Sequence, residues 1–112
     1  MVNYTSKQIV EQLLKVKKQQ IQNRKHHIEW HGTVYDDGVW KIDFELHPYG
    51  QIRIWISRED SYGNYNASPF TVYRADNGEI RYSADLKIKK SLVNKLISIF
   101  KEMEKSDLGA YV

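Results

Sequence analysis

Apolar residues in this 112-residue chain recur with a helical spacing at both ends and with a spacing of two in between. Near the N-terminus they lie three or four residues apart, as on one face of an α-helix. They are Ile9, Val10, Leu13, Leu14, Val16 and Ile21. Near the C-terminus the same spacing joins Leu92, Val93, Leu96, Ile97, Ile99, Phe100 and Met103. The pattern predicts an amphipathic helix at each end, the first of which opens with a Thr5–Gln8 capping box.

In the middle of the chain, apolar and polar residues alternate, which is typical of strands with one buried face. Five segments show this pattern, at residues 27–35, 39–47, 51–57, 69–74 and 79–85. Amphipathic strands and helices of this kind bury their apolar sides against one another in layers. We therefore predict a single α+β domain over residues 1–112, in the order α-β-β-β-β-β-α. Its two layers are a five-stranded antiparallel sheet and the two helices, both on one face of the sheet.

Three predicted hairpin connections are three-residue loops that end in glycine, at residues 36–38, 48–50 and 76–78. In such loops a type I turn precedes a left-handed residue, a conformation that glycine adopts without steric penalty. This geometry predicts the cross-strand pairs Val34–Trp40, Trp30–Phe44, Phe44–Ile54 and Val72–Tyr82. Apolar residues face apolar residues in all of them, which supports the three registers. Residues 58–68 lack a strand pattern and are predicted to form a long loop.

Histidine and carboxylate side chains form two facing rows on the predicted polar face of the first hairpin. The facing pairs are His27–His47, Glu29–Glu45 and His31–Asp43. Directly opposed Cβ atoms lie about 5 Å apart, and both residue types bind zinc, manganese or iron. A divalent-metal site is therefore one hypothesis, and acid–base chemistry by the paired carboxylates is another. Because side chains on a flat sheet project in parallel, we favour a solvated surface with a His31–Asp43 pair.

Aromatic and arginine side chains are predicted on the same polar face and in the loop beside it. These residues are Tyr35, Arg53, Trp55, Tyr62, Tyr65, Tyr73 and Arg81. Such residues dominate the hot spots of protein–protein interfaces, although they also stack on single-stranded nucleic acids. Acidic residues on this face disfavour phosphate binding, so the pattern favours docking on a protein. The alternative is that the aromatic rings only cover their cross-strand neighbours.

The formal net charge of +3 hides an uneven distribution along the chain. Residues 1–25 carry six basic side chains and one acidic one, and residues 86–112 carry six and three. Residues 26–85 carry five basic and ten acidic side chains. The predicted helices are therefore the basic part, and direct nucleic-acid binding through them is an alternative function. Its candidate residues are Lys7, Lys15, Lys18, Arg24, Lys25, Lys95 and Lys101.

Several classes of protein are disfavoured by what the sequence lacks. It contains no cysteine, which excludes disulfides and thiolate metal sites. No apolar run approaches the roughly 20 residues of a membrane span, and the N-terminus lacks the apolar stretch of a secretion signal, so we expect a cytoplasmic protein. No catalytic triad, phosphate-binding glycine loop or zinc-protease pattern is found, so we expect neither an enzyme nor a bound cofactor.

The leading hypothesis is a small non-enzymatic binding protein that docks on a protein or protein–nucleic-acid complex through the open face of its sheet. Small size, lysine-rich composition and the lack of a catalytic pattern suit an accessory protein of a bacterium or its phage. A phage or mobile-element inhibitor of a host defence complex is one protein of this kind.

Overall fold

The computed structural model describes residues 1–22, 30–47 and 51–106. Its elements in chain order are β1 (Val2–Asn3), α1 (Ser6–Gln22), β2 (Trp30–Asp36), β3 (Trp40–Leu46), β4 (Ile52–Glu59), β5 (Tyr65–Arg74), β6 (Ile80–Ala84) and α2 (Lys90–Glu104). The strands form one sheet in which spatial order equals chain order, and every neighbouring pair is antiparallel. The α+β class and both helices are confirmed, whereas the sheet formed by the described residues has six strands and not the predicted five.

The additional strand is β1, which pairs with residues 35–36 of β2. Two residues are too few to show an alternating pattern, so the sequence carries no periodic signal for this strand. The predicted capping box of α1, which follows β1, is confirmed. The Thr5 N–H donates to Gln8 Oε1 at 2.9 Å, and the Gln8 N–H donates to Thr5 Oγ1 at 3.1 Å.

The prediction of a long loop over residues 58–68 is wrong, because this segment forms a hairpin between β4 and β5. The Asp60 N–H donates to the Asn64 C=O at 2.7 Å and closes the connection. Gly63 has a φ of 82°, and its N–H donates to the Asp60 C=O at 3.1 Å. Residues 61–63 are therefore another three-residue loop that ends in glycine, and this signal is present in the sequence.

The turn of the β2–β3 hairpin lies at residues 38–39 and not at 36–38 as predicted. The Asp37 N–H donates to the Trp40 C=O at 3.1 Å, so these two residues enclose a two-residue loop. The Asp37 carboxylate stabilises this loop, because Oδ1 accepts from the N–H groups of Val39 and Trp40 at 2.9 and 2.7 Å. Hydrogen bonds that the backbone donates to a short polar side chain thus favour a different turn from the one that the glycine position predicted.

Asp37→Ala is expected to lower the free energy of unfolding by about 1–2 kcal/mol, the usual cost of losing a side-chain cap. Hydrogen bonds from the Trp40 and Val39 N–H groups lower the pKa of Asp37. A carboxylate with a depressed pKa stabilises the fold above its unfolded pKa, and this contribution disappears as the pH falls through the folded pKa. Urea denaturation measured at a series of pH values is therefore expected to show the variant and the wild type converging in acid.

Asp76→Ala is the matched control for this prediction. Asp76 is exposed in the β5–β6 turn, and its side chain makes no hydrogen bond or ion pair to the part of the chain that the structure describes. We expect its substitution to change stability by less than about 0.5 kcal/mol at every pH. Equal losses in the two variants, or a loss for Asp37→Ala that does not shrink in acid, would show that the Asp37 carboxylate does not hold the turn.

The predicted register of the β2–β3 hairpin is wrong as well. Trp30 pairs with Leu46 and not with Phe44, and a β-bulge at Val34 interrupts the ladder. A bulge inserts one extra residue on its strand, so the alternation between the two faces changes beyond it. As a result Tyr35, which was expected on the polar face, packs against the hydrophobic core.

The other two predicted registers are confirmed. The corresponding pairs in the structure are Phe44–Ile54 and Val72–Tyr82. The His47 N–H donates to the Gln51 C=O at 2.8 Å, as the second hairpin requires, although its predicted loop at residues 48–50 lies outside the described residues.

The hydrophobic core draws on both helices and on strands β2 to β5. Side chains with almost no exposed surface include Leu13, Ile42, Phe44, Leu46, Ile56, Leu96, Ile99 and Met103. All of them occupy the apolar positions from which the helices and strands were predicted. Removing each from water contributes about 1.5–3 kcal/mol, so this cluster is the main source of stability.

Candidate partner-binding face

The side of the sheet opposite the core carries the residues that alternate with the buried ones, and we call it the polar face. Its members on β3 to β6 include Lys41, Asp43, Glu45, Arg53, Trp55, Ser57, Pro69, Thr71, Tyr73, Arg81 and Ser83. Pairing across the strands joins Glu45 to Arg53, Trp55 to Pro69, and Tyr73 to Arg81. Four residues predicted to bind a partner therefore lie on one face of three neighbouring strands. They are Arg53, Trp55, Tyr73 and Arg81.

Several charges on the polar face are partnered by one another. Lys41 Nζ lies 3.8 Å from Asp43 Oδ2, and Arg81 Nη2 lies 3.6 Å from Glu79 Oε2. The buried Asp43 also accepts a hydrogen bond from the Thr33 hydroxyl at 2.6 Å. Each of these ion pairs places a positive charge next to a negative one. The polar face therefore carries no large net charge of one sign at β3 or at β6.

Arg53 differs from these residues, because its exposed guanidinium has no acceptor among the residues that the structure describes. Its cross-strand neighbour is Glu45, but Glu45 Oε2 lies 2.6 Å from His47 Nε2 on its own strand. The donors of Arg53 are therefore open to solvent or to a ligand. Because a guanidinium presents its N–H groups in a planar fork, it is well suited to a carboxylate.

Trp55, two residues further along β4, carries a buried donor without an acceptor. Its indole Nε1 is closed to solvent and finds no hydrogen-bond partner within the described ranges. A buried donor left unpaired costs about 1–3 kcal/mol, and folded proteins contain few of them. Trp55 and Arg53 therefore place two donors without an acceptor on this part of the polar face.

Two tyrosines of equal exposure lie on opposite faces of the adjacent strands β5 and β6. Tyr73 is on the polar face and is 47% exposed, whereas Tyr82 is 48% exposed and lies on the core side. The Tyr82 ring stacks on Phe70, with 5.6 Å between the ring centroids. The pair therefore allows the two faces to be compared by the same substitution.

The prediction that Tyr35 lies on the polar face is wrong, because the bulge at Val34 brings its ring to the core side. Lys95 Nζ of α2 lies 5.9 Å from the ring centroid, within the range of a cation–π contact. The Tyr35 hydroxyl donates to Asp37 Oδ2 at 2.8 Å, and this hydrogen bond raises the pKa of Tyr35. Tyr35 therefore joins the β2–β3 turn to α2 and does not belong to the candidate site.

The β4–β5 hairpin carries the two remaining tyrosines that were predicted to bind a partner. Tyr62 lies in its turn and is 88% exposed. Tyr65 is the first residue of β5, and its backbone pairs with Glu59. Tyr62 therefore lies beyond the Glu59 end of β4, whereas Arg53 lies near the other end of that strand.

The described part of the β2–β3 hairpin does not have the cross-strand pairs on which the metal-site hypothesis was based. Two of its six residues lie outside the described residues, His27 and Glu29. His31 pairs with Glu45 and not with Asp43, because the turn and the bulge shift the register, and Asp43 faces Thr33. Across residues 1–22, 30–47 and 51–106, no group of three His, Cys, Asp or Glu side chains is placed to hold a metal ion. The predicted His31–Asp43 pair is therefore wrong.

Of the basic residues proposed to bind nucleic acid, some are exposed to solvent, whereas Lys95 makes contacts within the fold. The exposed ones are Lys7, Lys15, Lys18 and Lys101, while Arg24 and Lys25 lie outside the described residues. Lys95 is partly buried, and its Nζ donates to Asn3 Oδ1 at 2.9 Å and to the Tyr4 C=O at 2.6 Å. Burial lowers the pKa of Lys95. This lysine links α2 to the N-terminal segment and is not available as a free surface charge.

Comparison with protein-family models, with curated proteins and with solved structures finds no match to this chain. Neither helix that the structure describes is long and apolar enough to cross a membrane.

Proposed function

We propose that this protein is a non-enzymatic binding module that docks on a protein, alone or within a nucleic-acid complex, through its polar face. The observation that carries the proposal is the grouping of Arg53, Trp55, Tyr73 and Arg81 on neighbouring strands of one face. Aromatic residues and arginine supply most of the binding energy in protein interfaces, because they combine apolar area with directed hydrogen bonds. The exposed Arg53 guanidinium, which has no acceptor among the described residues, adds donors that a partner can satisfy.

We further infer that α1 and α2 both cover the other face of the sheet, in two layers. Supporting this inference, the apolar residues of both helices belong to one cluster with Ile42, Phe44, Ile54 and Phe70. Those strand residues alternate with the members of the polar face, so their side chains project to the opposite side. The exposed residues of the polar face, such as Arg53, Tyr73 and Arg81, would then be free to meet a partner.

A protein is the partner that the charges of this face favour. Binding to a phosphate backbone depends on neutralising many phosphates with lysine and arginine. On the polar face, Lys41 and Arg81 already lie beside the acidic groups of Asp43 and Glu79. A surface of mixed charge with aromatic side chains is the composition that protein interfaces use.

The test is affinity capture from the native host with the wild type and with Tyr73→Ala. We expect this variant to retain the captured protein about tenfold less well, the effect of losing one interface anchor. Trp55→Ala is expected to reduce retention further, because tryptophan contributes the largest contact area. Mass spectrometry of the captured protein identifies the partner, and urea denaturation checks that each variant is folded.

Tyr82→Ala is the matched control, because Tyr82 has the same exposure on the opposite face. It is expected to retain the partner fully while losing about 0.5–1.5 kcal/mol of stability, since its ring no longer stacks on Phe70. If Tyr73→Ala and Trp55→Ala retain every protein that the wild type retains, the polar face is not the docking surface. Equal losses in Tyr73→Ala and Tyr82→Ala would have the same meaning.

A further inference from the structure

The ladder between β4 and β5 ends before either strand does. The last pair at this end is Ile54 with Phe70, although β4 begins at Ile52 and β5 continues to Arg74. The two strands separate beyond this pair and leave a cleft of about 360 Å³ between them, which we call the β4–β5 cleft. Pockets for small groups typically measure about 300–1,000 Å³, so the cleft is large enough for one or two side chains of a partner.

The β4–β5 cleft combines an apolar interior with polar residues on one side. Phe70 and Met103, the latter from α2, are among its apolar lining residues. Arg53, Trp55 and Thr71 line it from the polar face. Among the lining residues that the structure describes, none carries a negative charge and Arg53 is the charged one.

The two unpaired donors of the polar face both belong to this cleft. The Trp55 indole N–H is buried and lacks an acceptor among the described residues, and the Arg53 guanidinium likewise has none. The two residues are separated by one position on β4, so their side chains leave the strand on the same side, about 7 Å apart. A negatively charged acceptor that enters the cleft would neutralise the guanidinium. A rotation of the Trp55 ring toward it would give the indole N–H, which is closed to solvent in this structure, the acceptor that it lacks.

We propose that the β4–β5 cleft binds a carboxylate carried by an apolar segment of the protein partner. The carboxylate accepts hydrogen bonds from Arg53 and from the Trp55 indole N–H, and an adjacent apolar side chain contacts Phe70 and Met103. An uncharged carbonyl would leave the guanidinium without a counter-charge. A phosphate group carries about −1.5 to −2 charges at pH 7, of which Arg53 would neutralise only one. The choice of a protein ligand rests on the docking function proposed above.

The test uses hexanoate, a carboxylate with an apolar tail, and hexanamide as its neutral counterpart of the same size. The readout is the NMR signal of the Trp55 indole N–H in the full chain, assigned by its disappearance in Trp55→Phe. We expect hexanoate at millimolar concentration to shift this signal downfield and to saturate, while hexanamide has no such effect. The indole signals of Trp30 and Trp40 are expected to stay in place.

Two variants separate recognition of the carboxylate from a general salt effect. Arg53→Gln is expected to weaken hexanoate binding about tenfold, because one charge-assisted hydrogen bond is lost. Arg58→Gln is the matched control and is expected to bind hexanoate as the wild type does, since Arg58 lies over the Trp40 ring on the core side and does not line the cleft. No shift with hexanoate, or equal shifts with hexanoate and hexanamide, would overturn the proposal.

Competition against the captured partner distinguishes this proposal from the docking function. Hexanoate, but not hexanamide, is expected to release a partner whose retention depends on Tyr73. If hexanoate binds without releasing that partner, the cleft takes a free carboxylate and the assignment to a protein ligand is wrong. If hexanoate does not bind while Tyr73→Ala still weakens capture, the cleft proposal fails and the docking function stands.

Discussion

Phe44→Ala is expected to lower the free energy of unfolding by about 3–5 kcal/mol, the usual range for truncating a buried phenylalanine. Phe44 has no exposed surface and lies in the central part of the core. Its truncation removes apolar area from the core and leaves a cavity that the surrounding helices and strands cannot fill completely. Because natural domains have a total stability of about 5–15 kcal/mol, one substitution here removes a large share of it.

Urea denaturation of the purified full chain measures this loss, and thermal melting gives a second estimate. At about 4 °C for each kcal/mol, the melting temperature is expected to fall by roughly 12–20 °C. Val39→Ala is the control, because Val39 is 47% exposed in the β2–β3 turn and its truncation changes stability by less than about 0.5 kcal/mol. A loss below about 1 kcal/mol for Phe44→Ala would mean that this cluster is not the core of the protein.

Gly32→Ala is expected to destabilise the protein by about 1–3 kcal/mol, although alanine is the better strand residue. The reason is a close approach, since a Cβ on Gly32 would overlap the six-membered ring of Trp30 two residues earlier. The Trp30 side chain, which packs against the core, therefore has to leave its position when a methyl group is added. The loss of stability comes from displacing the Trp30 indole, because alanine by itself is tolerated in a strand.

A double-mutant cycle isolates this contact. In a Trp30→Ala background, Gly32→Ala is expected to cost less than about 0.5 kcal/mol, because the overlapping ring is absent. The coupling energy between the two sites is then about 0.5–3 kcal/mol, measured by urea denaturation of all four proteins. The same cost for Gly32→Ala in both backgrounds would show that the two residues act independently and that the indole does not lie over the glycine.

The correct parts of the fold prediction share one physical cause. Helix and strand periods depend only on the geometry of a single element, and the core is formed by the residues at those periods. The registers that pair Phe44 with Ile54 and Val72 with Tyr82 were also predictable from local patterns. The length of a glycine-ended loop determines which residues of the two flanking strands lie opposite each other. The β4–β5 hairpin was missed although Gly63 provides the same signal, because its flanking residues do not alternate clearly between apolar and polar.

The first hairpin shows where local patterns are insufficient. Its turn depends on which N–H groups the Asp37 carboxylate reaches, and its register depends on a bulge at Val34. Neither feature changes the apolar alternation in the sequence, so neither can be predicted from that alternation. This difference of register separates His31 from Asp43 and moves Tyr35 to the core side.

Sequence alone determined the two helices, most of the strands and most of the residues that face away from the core, because these follow from repeats along the chain. The tertiary structure decided which of those residues act together. Arg53 faces Glu45 as the register predicts, but the carboxylate bonds to His47 and leaves the guanidinium free. The unpaired Trp55 indole and the cleft beside it likewise depend on where two strands separate. A polar side chain pairs with one of several groups that lie near it in the folded chain. The spacing of residues along the sequence does not show which of those groups it will be.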